Sequence, residues 1–330
     1  MAEFDLIDAI RARAATHAGV LLGIGDDAAL LQVPAGHELA VTADTLNAGV
    51  HFPDGSAPAD IGWKALAANL SDLAAMGARP AWCTLSLSLP AGDPAWLHAF
   101  LDGFLALADA HAIALVGGDT TRGPLSIAVT AMGWVEAGTA LRRDGARAGD
   151  EVWVTGSLGD AAAALVLGGH VRPPGPGQEA LPTVPGHVAA ALEARLHRPT
   201  PRVQAGRCLR GLAHACVDVS DGLLADLGHI CAGSGVGAEV DIARLPASPA
   251  LAAAFADAGL RAALQAGGGD DYELCFTAPP EAGEAVTRAL QQAGTAATRI
   301  GRIVAGNGVR ARAADGAPWR PLRDGYVHFA

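Results

Sequence analysis

Apolar and polar residues alternate with period two over residues 82–89, Trp-Cys-Thr-Leu-Ser-Leu-Ser-Leu, which predicts a strand with one buried face. Strands are likewise expected at 29–33, 38–43, 112–117 and 125–135. Between them, apolar residues recur at helical spacing over 59–76 and 94–110. The second of these helices is opened by Asp93-Pro94, an N-cap followed by proline at the first helical position. The stretch 136–150 is poor in large apolar residues, so a domain boundary is placed there, giving domains 1–140 and 141–330. The second half restarts with a strand at 151–155 and an Ala-rich helix to about 167. Residues 169–187 hold five prolines and read as an exposed loop. Helices follow near 187–195, 202–213, 222–233 and 248–265, with strands near 214–219, 237–242, 272–277 and 298–304. This mixture, without a fixed-period repeat, predicts two α/β domains.

The 330 residues suffice for two cores, and no run approaches the ~18 apolar residues of a membrane span. The N-terminus lacks the layout of a signal peptide, so a cytoplasmic location is expected. A net charge of −11 excludes the basic footprint of a nucleic-acid binder. Polyanionic substrates would therefore have to enter with metal ions. The five cysteines form no CxxC pair and read as free thiols. Lys64 is the only lysine, which rules out a P-loop. It follows Asp60 by four residues, the spacing of an i,i+4 ion pair.

Nine aspartates lie in short, mostly glycine-rich stretches: Asp26, Asp27, Asp44, Asp72, Asp119, Asp218, Asp221, Asp270 and Asp271. Several carboxylates at strand ends suit hard cations, and clustered Mg²⁺ suits phosphates. Asp26 and Asp27 end a stretch free to turn sharply; a simple Gly-Asp turn is the alternative. Asp44 and Asp119 are expected at the carboxyl ends of strands, where ligands of α/β folds bind, with Thr42 and Thr45 offering hydroxyls beside Asp44. Asp72 lies in an apolar helix three residues after Asn69, so the two share a face, and a metal is a fitting partner there. Arg122 is a candidate phosphate clamp. Asp218 and Asp221 bracket Ser220 at a strand-to-helix junction, where N-capping by Ser220 or Asp221 is the plainer reading. A phosphate at that helix N-terminus is compatible with it. His51 alone reads as a core histidine, and Asp270, Asp271 and Glu273 as a turn before a strand.

Taken in order, these motifs resemble those of the thiamine-monophosphate kinase family. The resemblance runs from Gly23-Ile-Gly-Asp-Asp27 through Asp44-Thr-Leu, Gly49-Val-His-Phe52 and the segment Lys64–Gly77. It continues through Gly117–Ser126, His197-Arg-Pro-Thr-Pro-Arg202, Asp218–His229, Asp271-Tyr-Glu-Leu-Cys-Phe276 and Gly325-Tyr-Val-His-Phe329. It implies the two-domain α/β fold shared with aminoimidazole ribonucleotide synthetase, with a dimerising N-terminal domain that binds ATP and Mg²⁺. A C-terminal domain then completes an active site between the two. The implied reaction is ATP with thiamine monophosphate giving ADP and thiamine diphosphate. Carried over, Asp27, Asp44, Asp72 and Asp119 resemble Mg²⁺ ligands, with Thr42 a further donor and Asp218 and Asp221 joining from the second domain. Gly118, Asp119, Arg143 and Ser220 fall at ATP-contacting positions, and His51, Asp270 and Tyr326 at positions lining the thiamine phosphate pocket. Ala43 stands where the family often has Thr, so a metal contact there would use its carbonyl. Asp270 replaces the more usual Glu, and no adenine-stacking aromatic stands around Ala110 and His111.

The chemistry expected is direct in-line transfer, with several Mg²⁺ ions screening both phosphates and aligning them. The carboxylates Asp27, Asp44, Asp72, Asp119 and Asp218 would serve it through the metal, without a protein nucleophile. Other readings are an aminoimidazole ribonucleotide synthetase-like enzyme, a Mg²⁺-dependent phosphatase, or a non-catalytic sensor of nucleotide or thiamine diphosphate. The His51 motif and Tyr326 tail speak against the first, and the full set of carboxylates against the last.

Overall fold

The computed structural model describes residues 3–15, 17–174, 182–321 and 325–326. Residues 175–181 of the loop expected at 169–187, and Val327–Phe329 of the C-terminal motif, lie outside the described residues. The chain divides into two compact units, Met1–Leu73 with Ala78–Ala140, and Ala74–Gly77 with Leu141–Ala330.

The first unit runs α1 (Glu3–Arg13), β1 (Val20–Leu22), β2 (Leu30–Leu31), β3 (His37–Asn47), α2 (Pro58–Ala75), β4 (Arg79–Leu89), α3 (Pro94–His111), β5 (Ala114–Arg122) and β6 (Ser126–Glu136). Its main sheet has the order β3-β6-β4-β5. Only the β4–β5 pair is parallel, as the crossover through α3 requires. The alternation of 82–89 does place Leu85, Leu87 and Leu89 on a buried face. In α3, Asp93 accepts hydrogen bonds from the Ala95 and Trp96 amides, while Leu97, Phe100, Leu101, Phe104, Leu107 and Ala108 form the buried stripe. The two helices meet backbone to backbone. A Cβ on Gly103 would lie 1.7 Å from the Ala59 carbonyl oxygen, so only glycine permits the crossing. The ribbon β1–β2 covers the Trp82 end of the sheet, where Trp82 meets Trp134 edge to face at 5.3 Å.

The second unit contains β7 (Glu151–Thr155), α4 (Asp160–Leu167), α5 (Gly186–His197), α6 (Val203–Leu209), β8 (Ala215–Val219), α7 (Leu223–Ser234), β9 (Gly237–Asp241), α8 (Pro249–Ala254) and α9 (Ala258–Gly267). It ends with β10 (Glu273–Ala278), α10 (Gly283–Gln292), β11 (Ala297–Val304), β12 (Gly308–Arg312) and β13 (Pro318–Trp319). The seven strands lie in the order β13-β12-β9-β11-β7-β10-β8. Strand β10 is buried along its whole length between β7 and β8, its polar Glu273 and Thr277 included. Helix α7 packs on one core with Val152, Val217 and Ile300, and α4, α5, α8 and α9 build a second around Leu192, Leu251 and Phe255.

Several elements differ from expectation. Strand β3 continues to Asn47 and β5 to Arg122, so Asp44 and Asp119 lie within strands rather than at their ends. Pairing with β6 and β4 carries both strands past the polar residues that read as stops. The single helix expected at 248–265 is two, because Asp257 caps a new helix by accepting the Leu260 amide while Phe255 turns inward. Helices α1 and α10 and strands β12 and β13 were not anticipated by periodicity.

Candidate functional site

In the first unit, strand alternation puts Thr42 and Asp44 on the face of β3 that meets α2, and Ala43 on the opposite, exposed face. The Thr42 hydroxyl donates to the Asp72 carboxylate, and the Asp44 amide donates to Asn69 Oδ1 at 3.2 Å. Asn69 Nδ2 in turn donates to the Ala65 carbonyl at 3.0 Å, which fixes the amide's orientation. Thus the shared helix face of Asn69 and Asp72 does receive Thr42 and Asp44. Asp44 and Asp72 are half-buried, whereas Asp27 and Asp119 are exposed. Asp119 pairs in register with Ser86 on β5, the edge strand opposite β3. Three strand spacings, about 14 Å, separate those edges. Asp27 sits in an exposed turn in which its amide donates to Asp26 Oδ1. Gly118 has φ +150°, and a Cβ there would lie 1.8 Å from the Leu85 carbonyl oxygen, so this close strand contact admits only glycine.

His51 lies in the turn after β3. Its Nδ1 accepts the Asn47 amide at 3.0 Å, which leaves the neutral ring's proton on Nε2. Lys64, buried in α2, donates to the His51 carbonyl at 2.8 Å and so ties this turn to the helix.

In the second unit, Asp218 is buried at the end of β8, opposite Leu274 of β10. The junction that follows is not capped by Ser220 or Asp221. Gly222 holds the N-cap position, and the amides of Ser220, Asp221 and Gly222 all converge at 3.1 Å on Asp226 Oδ2. The amides of this turn are thus engaged by the chain's own carboxylate. Burial, and then the charge of Asp221, push Asp226 up to about 7. Around this loop the Asp270 amide donates to the Ser220 carbonyl at 2.9 Å and the Tyr326 amide to the Asp221 carbonyl at 3.0 Å. Ser220, Asp221, Asp270 and Tyr326 are thus brought together. Arg143 follows Arg142, whose carbonyl accepts the Cys216 amide of β8 at 2.9 Å, and its own carbonyl accepts from Ser234 at the C-terminal end of α7 at 3.0 Å.

Asp270, Asp271 and Glu273 form more than a turn. Asp270 and Tyr272 have φ +66° and +50°, left-handed values that cost non-glycine residues about 1–2 kcal/mol each. Between them Asp271 is buried, with both carboxylate oxygens 2.9 Å from the Gly159 amide; burial raises its pKa well above the ordinary carboxylate value. Arg195 donates to the Asp271 carbonyl at 3.1 Å and to Glu273 Oε1 at 2.9 Å. Arg202, from the His-Arg-Pro-Thr-Pro-Arg motif, grips the buried Glu273 with both Nε, at 2.6 Å, and Nη2, at 2.5 Å. Thr155 completes the set by donating to Glu273 Oε2 at 2.7 Å. Sequence reading assigned no role to Asp226, Arg195, Arg202 or Tyr272. Signals existed for two: Asp226 stands four residues after the Gly222 turn, and Arg202 ends a Pro-punctuated motif.

Among the described residues no three His, Cys, Asp or Glu side chains are grouped to hold a metal ion. The donors present are nonetheless carboxylates, a hydroxyl and an amide, which suit a hard cation. Mg²⁺ is commonly held by one or two carboxylates plus substrate phosphates and water, so pairs such as Thr42 with Asp72 fit an ion brought in by phosphate.

Two family signatures cover most of the chain: AIR synthase related protein, N-terminal domain, over residues 25–135, and AIR synthase related protein, C-terminal domain, over residues 147–314. The thiamine-monophosphate kinase of Salmonella typhimurium is 46% identical over 337 residues, spanning 99% of this chain and 98% of the relative. A crystal structure of the thiamine-monophosphate kinase from Stenotrophomonas maltophilia K279a superposes with a TM-score of 0.85 at 55% identity, over 97% of this chain and 98% of that one. AaThiL, solved in complex with AMPPCP and TMP, gives a TM-score of 0.75 at 33% identity, over 99% and 97%. With a fold, motif order and whole-length identity all in agreement, the chain belongs to the thiamine-monophosphate kinase family.

Proposed function

We propose that this protein transfers the γ-phosphoryl group of ATP to thiamine monophosphate, giving ADP and thiamine diphosphate. A phosphate oxygen of thiamine monophosphate attacks the γ-phosphorus in line. The bond from that phosphorus to the β,γ-bridging oxygen breaks, and ADP leaves with the electron pair. A phosphate monoester is mostly ionised at neutral pH, so no general base and no protein nucleophile are required. The observation that carries the reading is the Thr42–Asp72 and Asp44–Asn69 lattice, in a chain related over nearly its whole length to kinases of this name.

Asp27, Thr42, the Ala43 carbonyl, Asp44, Asp72 and Asp119 are proposed as oxygen donors to Mg²⁺ in the first unit, and Asp218 and Asp221 in the second. Bound Mg²⁺ would supply charge neutralisation for the two phosphates. Gly118, Asp119, Arg143 and Ser220 are proposed to contact ATP, and His51, Asp270 and Tyr326 the thiamine phosphate. In this reading the His51 ring offers its Nε2 proton to a phosphate oxygen.

A homodimer is also proposed. Leu39 and Val41 on β3 are 46% and 58% exposed, and Ala43 and Thr45 continue the same open face. An apolar strand face at a sheet edge suits a second copy. No helix among the described residues is long and apolar enough to cross a membrane. We place the reaction in the cytoplasm, where ATP is made and where the buried thiols Cys83, Cys216, Cys231 and Cys275 stay reduced.

The test is to incubate the purified protein with ATP, MgCl₂ and thiamine monophosphate and to follow thiamine diphosphate by thiochrome fluorescence. Mg²⁺-dependent product matched by ADP is expected. ATP binding without product would sink the reading and favour the sensor.

A further inference from the structure

A tyrosine with φ +50° beside a buried carboxylate is a conformation that must be held in place. Here it is held from several sides. The Tyr272 amide donates to the Val219 carbonyl at 2.8 Å, and the Asp270 amide to the Ser220 carbonyl at 2.9 Å. The Asp271 carboxylate is anchored at the Gly159 amide, and Arg195 grips the Asp271 carbonyl. The backbone is thereby forced through two left-handed residues within three positions. The result is that the Tyr272 ring, itself buried, turns back and its phenol donates to Asp270 Oδ1 at 3.1 Å.

Two positions apart in an extended strand, the two side chains would share a face without the phenol curling back onto the carboxylate. The left-handed turn brings them into hydrogen-bonding contact. We infer that Tyr272 is a positioning residue: its phenol fixes the rotation of the Asp270 carboxylate and so sets how that group meets the thiamine phosphate substrate. The inference rests on Asp270 being a substrate contact, as proposed above. It also gives a use to Asp270 being an aspartate. A carboxylate with one fewer methylene has one fewer torsion to fix, and the hydrogen bond from a buried ring constrains the torsions that remain.

The experiment is steady-state kinetics of the full chain as wild type, Tyr272→Phe, Asp270→Asn and the double variant, with melting temperatures alongside. Tyr272→Phe is expected to raise KM for thiamine monophosphate about 3- to 10-fold, the loss of one hydrogen bond to a charged group. Its kcat, its KM for ATP and its melting temperature should stay near wild type. In the Asp270→Asn background the same change should add nothing, because the group being aimed is already altered. An unchanged KM in Tyr272→Phe, or effects that multiply in the double variant, would overturn the inference. Equal rises in both KM values, or loss of the fold, would also overturn it, since the phenol would then be supporting the turn. Wild-type protein that forms no thiamine diphosphate would instead remove the functional reading on which the inference stands.

Discussion

The carboxylates of α2 and β3 and those around β10 are built to opposite ends. Asp72 is half-buried and takes a threonine hydroxyl; Glu273 is fully buried and takes two guanidinium groups and a hydroxyl. In the first place negative charge stays partly open to solvent beside oxygen donors, the setting in which we propose that a cation binds. In the second the protein brings its own cations and closes over them. Acidic residues in one chain can thus serve a ligand or the architecture, and burial with arginine partners tells the two apart.

Breaking one partner of each set separates them. Glu273→Gln strands Arg195 and Arg202 beside a neutral amide in a buried site, and stability should fall by about 3–5 kcal/mol. Chemical denaturation would register it, and an unchanged midpoint would dissolve the contrast. Asp72→Asn should do the reverse: kcat falls on the order of 10²- to 10³-fold, as for loss of a group stabilising transition-state charge, while the melting temperature stays put. Normal turnover in this variant would remove Asp72 from the metal set.

Asp226 lies between the two kinds, buried and bonded, among the described residues, to three backbone amides. Its folded pKa, about 7, is raised above the unfolded value. Its neutral form is therefore favoured by the fold, and that contribution is present at low pH and lost as pH rises toward 7. Relative to Asp226→Asn, the wild type should lose roughly 5–10 °C of melting temperature between pH 5 and pH 8, the response to ~2–3 kcal/mol in a domain of this size. A flat difference would show that the three amides hold the charge without penalty. The smallest effect is expected at the surface. Glu284→Ala, which breaks an exposed i,i+4 pair with Arg288, should change stability by about 0.3–0.5 kcal/mol or less.

Much of the scaffold was legible because its signals are local. The alternation of 82–89, the Asp93-Pro94 start and the shared face of Asn69 and Asp72 each span a few residues, and each has its counterpart in the structure. What escaped is non-local. Glu273 reads as a turn acid until Arg195 and Arg202, more than 70 positions away, are folded against it. The extension of β5 past Gly117-Gly118 depends on its pairing with β4. Asp226 looked like any acid in a first helical turn, and only the convergence of three amides reveals that it closes the loop carrying Ser220 and Asp221.

The burial of Lys64 reaches beyond the turn it ties down. With the sole ε-amine of the chain enclosed in α2, reagents and enzymes that read lysine meet a surface with nothing to act on. A lysine-specific protease would cut the chain at one bond, and only when α2 opens. Cleavage at that bond therefore counts excursions out of the native state, a built-in clock for the opening of the helix that bears Asn69 and Asp72.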